Sequence, residues 1–131
     1  MSNSKDTPVK LNRPFVGIPS FLRSHICTDL DDLDADIAVF GVPHDEGSPF
    51  LAGSRMGPRS IREQSLRFGA PGSIYDPETR NQYLAEELGQ GLIADVGDVD
   101  VWPTEVRTTF KNATDMTRKI LAKGAFPVML G

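Results

Sequence analysis

Side chains able to ligate a divalent cation gather in two places: His44, Asp45 and Glu46 in the string VPHDEGSPFLAGSRM, and Asp95, Asp98 and Asp100 in LIADVGDVDV. Carboxylates and imidazoles bind such cations when several converge at ligand spacing, and neither string has that spacing. The D-V-G-D-V-D run therefore predicts a strand-end turn whose carboxylates cap backbone N–H groups, and His44 predicts a hydrogen-bonded loop or pocket residue. A further cluster, Asp29, Asp31, Asp32, Asp34 and Asp36, invites a calcium reading. An EF-hand loop needs alternate ligands, a glycine at its sixth position and a glutamate at its twelfth, so a solvated loop is expected instead. Arg55, Arg59, Arg62 and Arg67 predict a solvated or subunit-contact face, with anion recognition as the alternative.

Other chemistries are excluded by what the string lacks. No G-x-x-x-x-G-K-[ST] or G-x-G-x-x-G run follows the first apolar strand, which removes the usual phosphate cradles and leaves a nucleotide-binding half domain without its fingerprint. The histidines are His25 and His44, and no G-x-S-x-G elbow accompanies them. The lone cysteine, Cys27, can form neither an intrachain disulfide nor a cysteine-rich zinc site. With 14 Lys and Arg against 18 Asp and Glu, the formal net charge is -4, so no nucleic-acid partner is expected. No segment approaches the roughly 18 apolar residues of a membrane span, and the polar start MSNSKDTPVKLNRP has no apolar core of a leader. A cytoplasmic protein with no membrane partner is the expectation.

The most informative stretch is the loop 43–55. It leaves the carboxyl end of a predicted strand and is long, and ordered loops of that length at that edge usually carry function. Its substrate-loop candidates are Asp45, Glu46, Ser48, Phe50, Leu51 and Arg55. The carboxylates would attract a cationic group, and Phe50 with Leu51 would wall an apolar stretch of it.

Elements that position these residues follow from patterning. DIAVFGVP, apolar over Ile37–Phe40, predicts a buried parallel strand. GPRSIREQSLRFG predicts a short helix with Pro58 in its first turn, apolar Ile61, Leu66 and Phe68, and a stop at Gly69. Residues 70–80 are turn-rich, and NQYLAEELG suggests a brief helix. LIADVGDVDV predicts a second strand with aspartates at the edge where parallel sheets bind ligands. TEVRTTFKNATDMTRKILAK predicts the longest helix, with Thr104 as N-cap and Val106, Phe110, Ala113, Met116 and Ile120 facing inward. Phe126–Leu130 predicts a third strand, whose neighbours or covering layer are expected outside this sequence. Residues 1–14 read as a flexible arm, and residues 15–131 as part of one domain.

The string FGVPHDEGSPFLAGSRMGPRSIRE resembles the ureohydrolase family of agmatinases, arginases and guanidino-acid hydrolases, in which a strand runs into G-x-P-x-D-x-G and then G-x-R-x-G-P-x-x-I-R. Gly41, Pro43, Asp45, Gly47, Gly53, Arg55, Gly57, Pro58, Ile61 and Arg62 fill those places. IADVGDVDVWP resembles the family's D-x-G-D-V segment, and FPVMLG resembles the strand entering its first metal motif. The resemblance covers residues 15–131 and lies nearer the agmatinases than the arginases. It implies a three-layer α/β/α fold around a parallel sheet, and a homo-oligomer, trimer or hexamer. It also implies two Mn2+ ions whose bridging hydroxide attacks a guanidinium carbon to release urea and an amine.

The family's metal ligands lie in Gly-Gly-Asp-His, Asp-Ala-His-x-Asp and Asp-x-Asp motifs, and Gly131 is as far as this chain reaches into the first. No catalytic residue and no metal ligand is therefore carried over. The resemblance implies an N-terminal portion, inactive and metal-free by itself; a non-catalytic product that associates with a full-length subunit is the alternative. The loop from Asp45 to Arg55 corresponds to one bordering the family's active-site mouth. Leu51 stands where many agmatinase-like members carry Arg, so agmatine (giving putrescine and urea) and a guanidino acid such as guanidinobutyrate both stay open as substrates.

Overall fold

A computed structural model describes residues 17–69 and 74–131. The strands are β1 (His25–Ile26), β2 (Ile37–Gly41), β3 (Tyr75–Asp76), β4 (Asn81–Gln82), β5 (Ile93–Asp98) and β6 (Phe126–Leu130). The helices are α1 (Gly57–Ser65), α2 (Ala85–Gly89) and α3 (Val106–Ala122), with short 3-10 turns at Phe21–Arg23, Leu30–Asp32, Ser54–Met56 and Leu66–Phe68. The predicted arm, residues 1–14, lies outside the described residues.

β1, β5, β2 and β6 lie side by side in that order, and every pair is parallel. β2 runs through the middle as an unbroken apolar segment because it is covered on both faces. On one face Ala38 and Phe40 join Ala94, Val99 and Ile120, with Ala113 and Met116 of α3 packed against them. On the other, Val39, Ile93 and Leu130 meet Phe21 and Leu88 of α2. α1 lies on this second side, so helices flank the sheet as the three-layer expectation required.

Four local expectations need correction. The segment before β2 is not all loop: it holds two 3-10 turns and the edge strand β1, too short to leave a period in the sequence. Within it, Asp29, Asp31, Asp32, Asp34 and Asp36 are exposed, as a solvated cluster should be. Residues 75–82 form a hairpin, in which Asp76 accepts from the Glu78 N–H (2.9 Å) and the Thr79 hydroxyl (2.7 Å). The N-cap of α3 is Glu105, not Thr104, and its side chain makes no capping bond; the Thr109 hydroxyl instead accepts from the Trp102 N–H at 3.0 Å. On the inward face of α3, Ile120 is buried and Ala113 and Met116 pack against the core as expected, but Thr109 takes the buried place expected of Phe110, which is exposed.

The fourth correction concerns α1. Its buried residues are Pro58, Arg62 and Ser65, spaced as one helical face, whereas Ile61 and Phe68 are exposed. Arg62 is therefore no part of a solvated arginine face.

Candidate functional site

The loop between β2 and α1 is built around one carboxylate. The Asp45 side chain is 1% exposed. Its Oδ2 accepts from the N–H groups of Gly53 (2.8 Å) and Arg55 (3.2 Å), and its Oδ1 accepts from Arg55 Nε at 2.8 Å and lies 2.6 Å from Nη2. The guanidinium of Arg55 is the main cause that holds the Asp45 carboxyl down at about 2, with the two backbone N–H groups adding to it against burial. A residue ten positions away is thus tied back to the strand end. The tip is stiffened further by the Ser48 hydroxyl, which donates to the Leu51 carbonyl at 3.1 Å, and the Ser54 hydroxyl, which donates to the His44 carbonyl at 3.3 Å.

Asp45, Glu46 and Arg55 come together around a small cavity of about 40 Å³, closed by Pro43, His44, Val101 and Pro103. Phe50 and Leu51 lie outside that lining, 87% and 77% exposed at the loop's tip. His44 sits at the base with its ring edge-on to Phe110, centroids 5.4 Å apart, and its buried Nδ1 has no protein hydrogen-bond partner.

A second cluster lies at the end of β5, where the sheet register shifts. Val39 pairs with Asp95 and Gly41 with Asp98, so β5 carries one residue more than β2 across this interval. Gly97 takes up the extra residue at φ 82°, a conformation glycine adopts without strain. Without it, alternation would send Asp98 to the α3 side; with it, Asp98 and Asp95 face the same way, toward α1.

Arg62 receives both. Its Nε donates to Asp95 Oδ2 at 2.8 Å, its Nη2 to Asp95 Oδ1 at 3.0 Å and its Nη1 to Asp98 Oδ1 at 2.6 Å. Asp95 also accepts from the Phe21 N–H at 2.8 Å and the Gly97 N–H at 3.0 Å, the second being the backbone capping expected of this run. Burial opposes the charged guanidinium, yet the hydrogen bonds to Asp95 and Asp98 outweigh it and hold Arg62 above its ordinary value. Gly41 is packed tightly beside this cluster, since a Cβ there would lie 2.0 Å from Asp98 Oδ1 and 2.7 Å from Pro58 Cβ.

The cluster was missed from sequence because the partners are 33 and 36 positions apart. The available signal was the spacing of Pro58, Arg62 and Ser65 on one helical face. Of the two strings that looked capable of holding metal, Asp45, Asp95 and Asp98 are paired with arginines instead. Among the described residues, no group of three or more His, Cys, Asp or Glu is arranged to hold a metal ion. The manganese pair implied by the resemblance does not fit the residues present here.

Comparison with known proteins agrees with this architecture. A sequence model described as the arginase family matches residues 35–131. The chain is 34% identical over 129 residues to the human mitochondrial guanidino acid hydrolase, covering 98% of this chain and 34% of that protein. It is 34% identical over 116 residues to the mitochondrial agmatinase of Gallus gallus, covering 88% of this chain and 31% of the relative.

Among solved structures, a hypothetical agmatinase from Burkholderia thailandensis superposes with a TM-score of 0.70 at 23% identity, over 89% of this chain and 34% of that one. The Trypanosoma cruzi formiminoglutamase with Mn2+ superposes with a TM-score of 0.55 at 27% identity, over 75% and 32%. The chain belongs to the arginase family. It spans about a third of the length of the curated relatives it matches.

Proposed function

We propose that this chain is the amino-terminal third of a manganese-dependent ureohydrolase of agmatinase type, acting on a linear guanidino compound. The observation that carries the reading is the match of residues 35–131 to the arginase family, with relatives named as guanidino acid hydrolase and agmatinase. In the reaction, water adds to the guanidinium carbon and the bond from that carbon to the tail-bearing nitrogen breaks. This nitrogen leaves with a proton as the amine, and the remaining carbon and nitrogens depart as urea.

The described part contributes positioning. Arg62 locks the start of the helical layer onto the end of β5, and the Asp45–Arg55 pair holds the 45–55 loop at the carboxyl edge of β2, where open parallel sheets receive ligands. The metal ligands come from the rest of the protein, so residues 1–131 alone release no urea. The test is urea release by the whole native protein, purified with Mn2+, from agmatine, 4-guanidinobutyrate and simple alkylguanidines. Turnover of any of these supports the reading, and turnover of none refutes it.

A further inference from the structure

Two successive residues with side chains, Leu22 and Arg23, sit in the left-handed backbone region, at φ 53° and φ 54°. For such residues that conformation costs about tenfold in an equilibrium at each position, and the strain persists only where the surrounding structure imposes it. Nothing local imposes it here. The stretch Ser20–Ser24 holds no glycine or asparagine. Its internal bonds run from the Arg23 N–H to the Ser20 carbonyl (3.2 Å) and from the Ser24 N–H to the Phe21 carbonyl (3.0 Å), and a right-handed turn makes such bonds equally well.

What imposes the strain is docking. The Phe21 N–H donates to Asp95 Oδ2 at 2.8 Å, the Leu22 N–H to Ser65 Oγ at 2.8 Å and Arg23 Nε to the Leu66 carbonyl at 2.7 Å, partners 43 or more positions away. Leu22 is buried, and Phe21 packs against Val39, Ile93 and Leu130. A Cβ on Gly69 would lie 2.5 Å from Arg23 Cγ and 2.6 Å from the Leu22 carbonyl oxygen. Ser65 in turn donates to the Arg62 carbonyl at 2.7 Å.

We propose that residues 20–24 form a strained strap over the end of α1 and the Arg62–Asp95 pair, one that opens and recloses as a unit while the sheet stays folded. A closed state that stores strain opens more readily than its contacts alone would allow. On opening, Leu22 and Arg23 return to ordinary backbone, Asp95 loses the bond from Phe21, and Ser65 loses the bond from Leu22. The joint between α1 and the sheet therefore has two states, with and without the strap.

The experiment is residue-resolved hydrogen exchange on the whole native protein by NMR, at urea concentrations below unfolding. The Phe21 and Leu22 amides are expected to exchange through one shared opening that urea hardly promotes, while Val39 and Phe40 of β2 exchange only on global unfolding, about a hundredfold or more slower. Strain is read at Arg23. Arg23→Ala and Arg23→Gly both delete the guanidinium, but only glycine adopts φ 54° freely, so both strap amides are about fivefold better protected in Arg23→Gly than in Arg23→Ala.

Phe21 and Leu22 amides with the protection and urea dependence of β2, or with openings that differ from each other, overturn the strap as a separate unit. That pattern is read on the unsubstituted protein, whether or not a variant folds. Equal protection in the two Arg23 variants, or better protection with alanine, overturns the role of strain. The inference does not rest on the ureohydrolase reading, and none of these outcomes bears on it.

Discussion

Two arginine–aspartate pairs, Arg62 with Asp95 and Arg55 with Asp45, use the same chemistry for opposite ends. Arg62 and Asp95 are 8% and 4% exposed, and the Asp95 carboxylate accepts from two nitrogens of Arg62 and from the N–H groups of Phe21 and Gly97. Breaking that pair strands a buried charge. Arg55 is 59% exposed while Asp45 is 1% exposed, so the second pair closes a surface loop with one partner in solvent. The difference separates a core joint from a loop clasp: the buried pair fixes where α1 meets the sheet, and the surface pair closes the 45–55 loop onto the end of β2.

The comparison is broken most severely at Arg62. Arg62→Met leaves Asp95 and Asp98 without their cation, and removing one partner of a buried pair costs about 3–5 kcal/mol. Urea denaturation of the chain is expected to show that loss, with Arg62→Lys recovering part of it because a point ammonium cannot replace a bidentate fork. Gly41→Ala comes next. Its Cβ would fall on Asp98 Oδ1 and Pro58 Cβ, and Asp98 cannot retreat without releasing Arg62, so an overpacking cost of about 1–3 kcal/mol is expected in the same assay.

At the surface pair the effect is local. Asp45→Asn is expected to speed hydrogen exchange at the Gly53 and Arg55 amides, with protection of β2 and β5 unchanged. The pH dependence follows from the depressed carboxyl. The folded value of about 2 lies below the ordinary 3.8, so the stabilisation is complete above about pH 4 and is lost as pH falls toward 2. The protection of those two amides, measured relative to the intrinsic exchange rate at each pH, should fall across that window. The smallest effect is expected from Phe50→Ser, whose exposed ring contributes within about 0.5 kcal/mol of stability; a larger loss on thermal unfolding would mean the tip is packed.

The legible parts of the fold were those with sustained patterning. β2 and β6 are apolar runs, and β5 and α3 carry enough apolar positions to locate them, as does Pro58 for the start of α1. β1 and the β3–β4 hairpin have strands of two residues and leave no period. Asp45 and Arg55 could be placed on the loop that leaves the carboxyl end of β2 because loop length and strand position are local properties. Their pairing was not legible, and neither was the contact of Arg62 with Asp95 and Asp98. That contact depends on an extra residue at Gly97 that turns Asp98 to the other face of the sheet, which is a property of register rather than composition. Phe110 was misplaced for a related reason: Thr109, polar by type, occupies the buried position through its bond to Trp102.

The most direct measurement is a manganese titration of residues 1–131 followed by NMR. If the aspartates at the end of β5 are committed to Arg62, one equivalent of Mn2+ leaves the amide signals of Gly97 and Val99 sharp. Selective paramagnetic broadening of those two signals would show that Asp95 and Asp98 are free to bind metal, and would contradict their structural role.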